Sequence, residues 1–161
     1  MTEPEEIIEA SIVALVAANS TIPVFGMLTP SADGTEKTAP DTSIDVAADV
    51  SAQSFDSRVP NVPFTFSVRI TVRAAAADDA TGNTFRTACR GVRGTIAAIL
   101  GDGCTAVSAD GFTCDGVILE NTTTGTDADA KNGGWYKIYS LAVTGRYTEP
   151  APSSENLELS A

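Results

Sequence analysis

The side chains that perform most enzymatic chemistry are scarce in this sequence. Its 161 residues include no histidine, which removes Ser-His-Asp and Cys-His nucleophile systems and histidine general bases. The three cysteines, Cys89, Cys104 and Cys114, do not compose an ordinary tetrahedral zinc site unless acids or a second subunit supply further ligands. We therefore expect a protein that is not an enzyme and that holds no metal and no cofactor.

Two short stretches have the residue types of ligand-binding motifs but lack the neighbouring secondary structure or the further ligands that those motifs require. Residues 101–106 read Gly-Asp-Gly-Cys-Thr-Ala, yet the dinucleotide fingerprint must follow a strand and open a helix. Here the glycines close a predicted helix, which indicates a C-cap and a turn. Asp127-Ala128-Asp129 lacks the third ligand, the glycine and the distant glutamate of a calcium loop, so we interpret it as a solvated acidic loop.

Carboxylates are numerous, so a carboxylate-dependent enzyme, for instance one that acts on glycans, stays open as an alternative. Such an enzyme requires a cleft with two carboxylates several ångströms apart, one of them with a raised pKa. Nothing in the spacing of the acids places two of them in a shared cleft.

Charge is distributed unevenly along the chain. Ten basic and 21 acidic residues give a net charge of −11, which opposes binding to nucleic acid and to anionic membranes because such affinity comes largely from cations. Residues 58–93 nevertheless carry a net charge of +4, while the remainder carries −15. The bases of this region are all arginine, the side chain suited to bidentate pairing with carboxylates: Arg58, Arg69, Arg73, Arg86, Arg90 and Arg93.

These arginines have two interpretations, and the sequence leaves both open. Asp45 and Asp49 repeat the four-residue spacing of Arg69 and Arg73 on another predicted strand, so pairs across the sheet would account for two arginines within the chain. Alternatively, the arginines bind acids of a second subunit. A basic patch on an acidic protein suits head-to-tail association, which closes into rings or extends into filaments.

A face of small residues on the predicted second helix bears on the same question. Thr87, Gly91, Gly94 and Ala98 fall together, and each glycine costs a helix about 1 kcal/mol relative to alanine. Close approach of another backbone, from the chain's own sheet or from a neighbouring subunit, would offset that cost. The candidate interface residues are therefore Asp45, Asp49, Arg69, Arg73, Arg86, Arg90, Gly91, Arg93 and Gly94.

Hydrophobic periodicity supplies the elements that would position these residues. Apolar residues at helical spacing predict a helix over 2–19 and a second helix from Asp78-Asp79 to about Leu100. The buried stripe of the second helix would be Phe85, Cys89, Val92, Ile96 and Ile99. Alternation of apolar and polar residues predicts strands over 44–51, 64–73 and 135–147, with short strands within 112–120, an edge strand or turn at 22–28 and a loop at 121–134.

This order of elements predicts an α+β fold, a mostly antiparallel sheet with an N-terminal helix and a second helix packed on it. We expect one domain over 1–147 and a flexible acidic tail over 148–161. The N-terminus lacks the basic start of a signal peptide, and no apolar run is long enough to span a bilayer, so we expect a cytosolic site of synthesis and no membrane partner. An odd number of cysteines argues against a disulfide scaffold, although pairing of Cys104 with Cys114 stays open.

Several local stretches, taken in order, resemble one protein family. They are 54–60 (Ser-Phe-Asp-Ser-Arg-Val-Pro), the strand ending Arg69-Ile70-Thr71-Val72-Arg73, Asp78-Asp79 before the arginine helix, 110–116 (Asp-Gly-Phe-Thr-Cys-Asp-Gly) and 134–139 (Gly-Trp-Tyr-Lys-Ile-Tyr). Over most of 1–147 the chain thus resembles the small neck and tail-end proteins of long-tailed bacteriophages, especially tail terminators.

The resemblance implies a structural virion protein that forms a ring, usually a hexamer. Such a ring caps the tail tube and joins it to the head connector at the tail–head junction, in a particle assembled in the bacterial host cytoplasm. DNA passes through the lumen without specific binding, which suits an acidic protein. The family implies no catalytic residues. Another neck, head-completion or tail-tube subunit is the alternative within this class, and a monomeric binding module of a bacterial cell is the alternative outside it.

Overall fold

A computed structural model of the chain describes residues 4–27, 42–53, 62–75, 81–102, 107, 112–126 and 134–147. Within them, the elements in chain order are α1 (Pro4–Ala17), β1 (Val24–Gly26), β2 (Ser43–Gln53), β3 (Val62–Ala75), α2 (Asn83–Gly101), β4 (Phe112–Thr126) and β5 (Gly134–Tyr147). The predicted α+β class, with a mostly antiparallel sheet, an N-terminal helix and a second helix packed on it, is confirmed.

The five strands form one sheet in the order β1-β2-β3-β5-β4. β1 runs parallel to β2, and the other neighbouring pairs are antiparallel. β3 and β5 pair without interruption from Val62 opposite Tyr147 to Ala75 opposite Gly134. This ladder lies at the centre of the sheet, so that β4 forms one edge and the three-residue β1 forms the other.

The core lies between one face of the sheet and the two helices. Alternation along β3 sends Phe66, Val68, Ile70 and Val72 to this face, where their side chains are fully buried. The other elements complete the core with Ile8, Ile12, Val16, Ile44, Val46, Ala88, Val92, Ile96, Ile99, Leu141 and Val143. No described helix packs on the opposite face, which is the side of the sheet that carries Arg69 and Arg73.

The two helices meet where Asn19, two residues beyond the end of α1, approaches α2 at Gly91. A Cβ atom on Gly91 would lie 2.6 Å from the backbone oxygen of Asn19, so this approach requires glycine. Asn19 Nδ2 donates a hydrogen bond of 3.0 Å to Oγ1 of the buried Thr95, and that hydroxyl donates to the carbonyl oxygen of Gly91 at 3.0 Å. These contacts hold the two helices at a defined crossing.

The predicted buried stripe of the second helix faces the sheet, as expected. Val92, Ile96 and Ile99 are buried, and Phe85 and Cys89 pack against the core while partly exposed. Tyr139 on β5 is buried beneath this helix, and its hydroxyl donates a hydrogen bond of 3.1 Å to the carbonyl oxygen of Cys89. Apolar contact and this hydrogen bond together fix which side of α2 faces solvent.

The second helix begins later than the sequence predicted. It does not start at Asp78-Asp79, because Gly82 is its N-cap and Asn83 is its first residue. Gly82 has a φ of 75°, a left-handed conformation that interrupts a helical path and that glycine adopts without steric penalty. Within the part of the chain that the structure describes, no side chain forms a capping hydrogen bond at this end of α2.

The strand β4 is longer than the sequence predicted. The prediction of a loop from 121 was wrong as far as Thr126, because one strand runs from Phe112 to Thr126 with bulges between Cys114 and Gly116 and between Leu119 and Asn121. Residues 121–126 pair with β5, since a threonine-rich segment fits a pleated sheet once a neighbouring strand is present. Of the two alternatives predicted for 22–28, an edge strand or a turn, the structure shows the edge strand: β1 covers Val24–Gly26 and runs parallel to β2.

Some predictions concern residues outside the described ranges. They include those on Arg58, Asp78-Asp79, Cys104, Asp127-Ala128-Asp129 and the acidic tail over 148–161. The division into one domain over 1–147 and a tail therefore stays a prediction.

The helix crossing gives a prediction with a matched control. Replacing Gly91 with alanine should lower the free energy of unfolding by about 1–3 kcal/mol, because the new methyl group overlaps the Asn19 carbonyl. Replacing Gly94 with alanine should raise it by roughly 0.5–1 kcal/mol, because a Cβ there meets nothing within 4 Å and alanine is the better helix former. Urea denaturation of both variants measures the difference; equal changes would contradict the close approach.

The buried tyrosine gives a prediction about alkaline pH. Burial, and then the neighbouring Cys89, raise the pKa of Tyr139 above its ordinary value of 10.0. The unfolded chain therefore releases this proton at lower pH than the folded chain does, so its contribution to stability is complete below about pH 10 and declines as the pH rises further. In pH-dependent urea denaturation, Tyr139→Phe should show a smaller loss above pH 10 than the wild-type chain. An unchanged slope would contradict the shift.

Candidate subunit interface

Three arginines lie on the exposed side of α2. Arg86, Arg90 and Arg93, here called the arginine stripe, are exposed, and their spacing of four and three residues places them on one side of a helix. The helix sequence contains no acidic residue, so no pairing within α2 neutralises the stripe. The helix therefore presents three positive charges to solvent on a protein whose net charge is −11.

The rest of the described chain offers this stripe little compensation. Arg86 donates a hydrogen bond of 3.1 Å from Nη1 to Oδ1 of Asn83, which is a neutral acceptor. Among the described residues, no carboxylate lies within ion-pairing distance of Arg90 or Arg93. Arg86 also lies in the first turn of α2, where the helix dipole disfavours a cation. These positions gain little from the fold, which is the arrangement expected if they serve an external partner.

Arg69 and Arg73 have a different environment. The β2–β3 register places Asp45 opposite Thr71, and thus diagonal to both arginines on the same face; it also places Asp49 diagonal to Arg69. Diagonal positions of this kind are about 7–8 Å apart, which long side chains span. Attraction to Asp45 and Asp49 within the chain therefore accounts for the sheet arginines at least as well as a partner does.

The two helix glycines also differ in environment. Gly91 is explained by the close approach of Asn19, which is a contact within the chain. Gly94 is exposed, and a Cβ atom on it would meet nothing within 4 Å. Gly94 lies beside the arginine stripe together with the exposed Ala97 and Ala98. This part of the α2 surface therefore consists of small side chains next to positive charges. Participation of any of these residues in an interface stays a prediction.

The described residues show no arrangement for metal binding. In that part of the chain, His, Cys, Asp and Glu side chains do not gather in groups of three. Cys89 and Cys114 carry free thiols, and burial raises the pKa of the Cys89 thiol above its ordinary value of 9.0, which keeps it in the less reactive protonated form. Neither of the two helices in the described ranges has the length and hydrophobicity to cross a membrane.

Two features of the surface and core were not anticipated from the sequence. Glu9 on α1 is completely buried, whereas the pattern of the helix gave no sign of an acid in its core. Large apolar side chains are exposed at both edge strands: Ile118 and Leu119 on β4, and Met27 directly after β1. Only the order of strands in the sheet identifies β4 and β1 as edges, so no local signal could have revealed this exposure.

Comparison with known proteins adds a likeness of fold. No protein-family model matches the sequence, and no curated protein matches it. Among solved structures, a chain from the virion of a native gene transfer agent particle is similar, with a TM-score of 0.53 and 15% sequence identity. The match covers 85% of this chain and 93% of that chain. Because the match spans most of both chains, the likeness concerns the fold as a whole and not one local motif.

The exposed stripe gives a prediction that separates assembly from folding. Arg90→Glu should weaken self-association, because it places an acid in a cationic contact, while the free energy of unfolding changes by no more than about 0.5 kcal/mol. Sedimentation velocity over a concentration series measures association, and circular dichroism measures folding.

Arg146→Glu is the matched control. Arg146 is exposed and changes the net charge by the same amount, but it lies on β5 and faces Asp115 at 3.6 Å. A surface pair of this kind contributes about 0–1 kcal/mol. Equal loss of association in both variants would show that total charge, and not the stripe, governs assembly.

Proposed function

We propose that this chain is a structural virion protein of a phage-like particle, a ring-forming tail terminator that caps the tail tube and joins it to the head connector. The observation that carries the proposal is the arginine stripe, which α2 exposes without a described acidic partner on a strongly anionic protein. A lone monomer gains nothing evident from that arrangement. In a subunit that contacts acidic copies of itself, the stripe would attract the neighbouring copy and fix the orientation in which it binds.

The fold likeness supports the same proposal from an independent direction. The similar solved chain belongs to the virion of a gene transfer agent particle, and the sequence resembles tail-end proteins of long-tailed phages over most of 1–147. The likeness of fold does not by itself distinguish a terminator from another neck or tube subunit. The choice of terminator rests on the sequence resemblance.

Head-to-tail contact follows from the separation of charge on the chain. The stripe lies on α2, whereas 19 of the 21 acids lie outside residues 58–93. A contact between two different surfaces is heterologous, and such contacts close into a ring when the rotation between subunits divides a full turn. Hexameric copy number is the expectation from the resemblance. A ring built from these subunits stays anionic, so DNA would pass its lumen without the cation contacts that hold DNA to proteins.

The partners of such a ring are the tail tube at one end and the head connector at the other. Its place is the tail–head junction of the virion, after assembly in the bacterial host cytoplasm. The protein would act by position and shape, with no catalytic residues and no cofactor.

Native mass spectrometry at low ionic strength, followed by electron microscopy, tests the proposal. The expected result is one closed ring of fixed copy number that falls apart as salt is raised, because exposed charge pairs are screened over about 8–10 Å at 0.1–0.15 M salt. Long tubes of the purified protein would indicate a tube subunit instead. A stable monomer at high concentration and low salt would overturn the proposal.

A further inference from the structure

The edge strand β4 has the properties of a docking strand. It runs for 15 residues, from Phe112 to Thr126, and pairs on one side with β5. No described strand pairs with its other side. An edge of this length presents a row of backbone N–H and C=O groups to which another chain can pair.

The usual protection of an exposed edge is incomplete on β4. Soluble proteins block such edges with lysine, proline, bulges or very short strands, and β4 contains no lysine, arginine or proline. Its two bulges accommodate Asp115 and Glu120 as extra residues. Beyond the second bulge, residues 121–126 read Asn-Thr-Thr-Thr-Gly-Thr and carry no charge. This last segment pairs regularly with β5, so its free edge is straight enough to accept a further strand.

Exposed apolar side chains coincide with the two edges of the sheet. Ile118 is 63% exposed and Leu119 is 37% exposed, both on β4. At the opposite edge, Met27 is 71% exposed, and its N–H bonds to the carbonyl oxygen of Val46, which extends the pairing of β1 by one residue. Among the described residues, Leu100 is the one other large apolar side chain with this exposure. A partner that binds at these edges would therefore remove more exposed apolar surface from water than a partner that binds elsewhere on the described surface.

We propose that β4 docks, through the backbone of residues 121–126 and with the flanking Ile118, against the β1 edge, residues 24–27, of a second copy of this chain. The inference rests on the proposed ring function, for which it supplies one of the subunit contacts. Both segments are free of charge except for Glu120, so each is a nearly neutral region on a protein of net charge −11. Each also exposes large apolar side chains. Pairing of two such edges adds backbone hydrogen bonds and buries Ile118 and Met27.

Charge favours this head-to-tail pairing over pairing of β4 with itself. A symmetrical β4–β4 contact through the same segment would bring Glu120 of both copies into one interface, with repulsion between like charges. The β1 edge carries no acid between residues 24 and 27. A contact between the two different edges is also heterologous, as a ring requires.

A lysine placed on the edge tests the docking strand. Thr123→Lys should raise the protein concentration at half-assembly by about tenfold or more, because the interface would have to desolvate an unpaired charge. Thr113→Lys is the matched control, since Thr113 is exposed on the same strand before both bulges, and it should assemble like the wild-type chain. Sedimentation velocity measures assembly, and thermal denaturation checks that both variants fold alike. If Thr123→Lys assembles like Thr113→Lys while the wild-type chain forms rings, the docking inference fails and the proposed function stands.

Chemical cross-linking distinguishes which edges meet. A chain with both Met27→Cys and Thr124→Cys, treated with a flexible bismaleimide, should give a ladder of covalent multimers beyond the dimer, above the background from the native cysteines of the wild-type chain. Each single variant should give no such ladder. Efficient dimers from Thr124→Cys alone would mean that β4 pairs with β4, which overturns the proposal. Assembled protein without cross-links would overturn it too, and a wild-type chain that stays monomeric would overturn both this inference and the proposed function.

Discussion

The close approach of Asn19, just beyond the end of α1, to Gly91 on α2 determines which side of α2 faces the sheet and which side faces solvent. Because the Asn19 carbonyl occupies the space of a side chain at Gly91, and because Asn19 also bonds to Thr95, the helix has one position against its neighbour. Tyr139 secures the same helix to the sheet through the Cys89 carbonyl. In this orientation the apolar residues of α2 pack on the sheet, and the arginine stripe lies on the surface.

The structure places the arginines in two different environments, one on β3 and one on α2, which the amino-acid composition does not distinguish. Those on β3 share a sheet face with Asp45 and Asp49, in a register that brings opposite charges within reach. Those on α2 lie on a helix without acids. Oppositely charged neighbours in a sheet contribute modestly to folding, whereas Arg86, in the first turn of α2, opposes the helix dipole. The helix group is therefore the part of the basic region whose presence is better explained by association than by folding.

Charge and shape point to the same mode of association. A protein with net charge −11 repels its copies at long range, so contacts between copies need local attraction or local neutrality. The arginine stripe offers attraction, and the two sheet edges offer neutral backbone and apolar surface. All of these surfaces are unlike one another, which is why we propose heterologous contacts that close into a ring and not a twofold dimer.

Much of the fold could be predicted from periodicity, because alternation in 64–73 and helical spacing in Phe85, Cys89, Val92, Ile96 and Ile99 reflect burial that each element must achieve locally. The absence of histidine and the concentration of arginines in 58–93 are likewise properties of the sequence alone. Tertiary structure decided the rest: the extension of β4 to Thr126, the burial of Glu9, the separate explanations of Gly91 and Gly94, and the exposure of Ile118 and Met27. Each of these depends on which segments become neighbours in space, and local pattern carries no information about a partner that is distant along the chain.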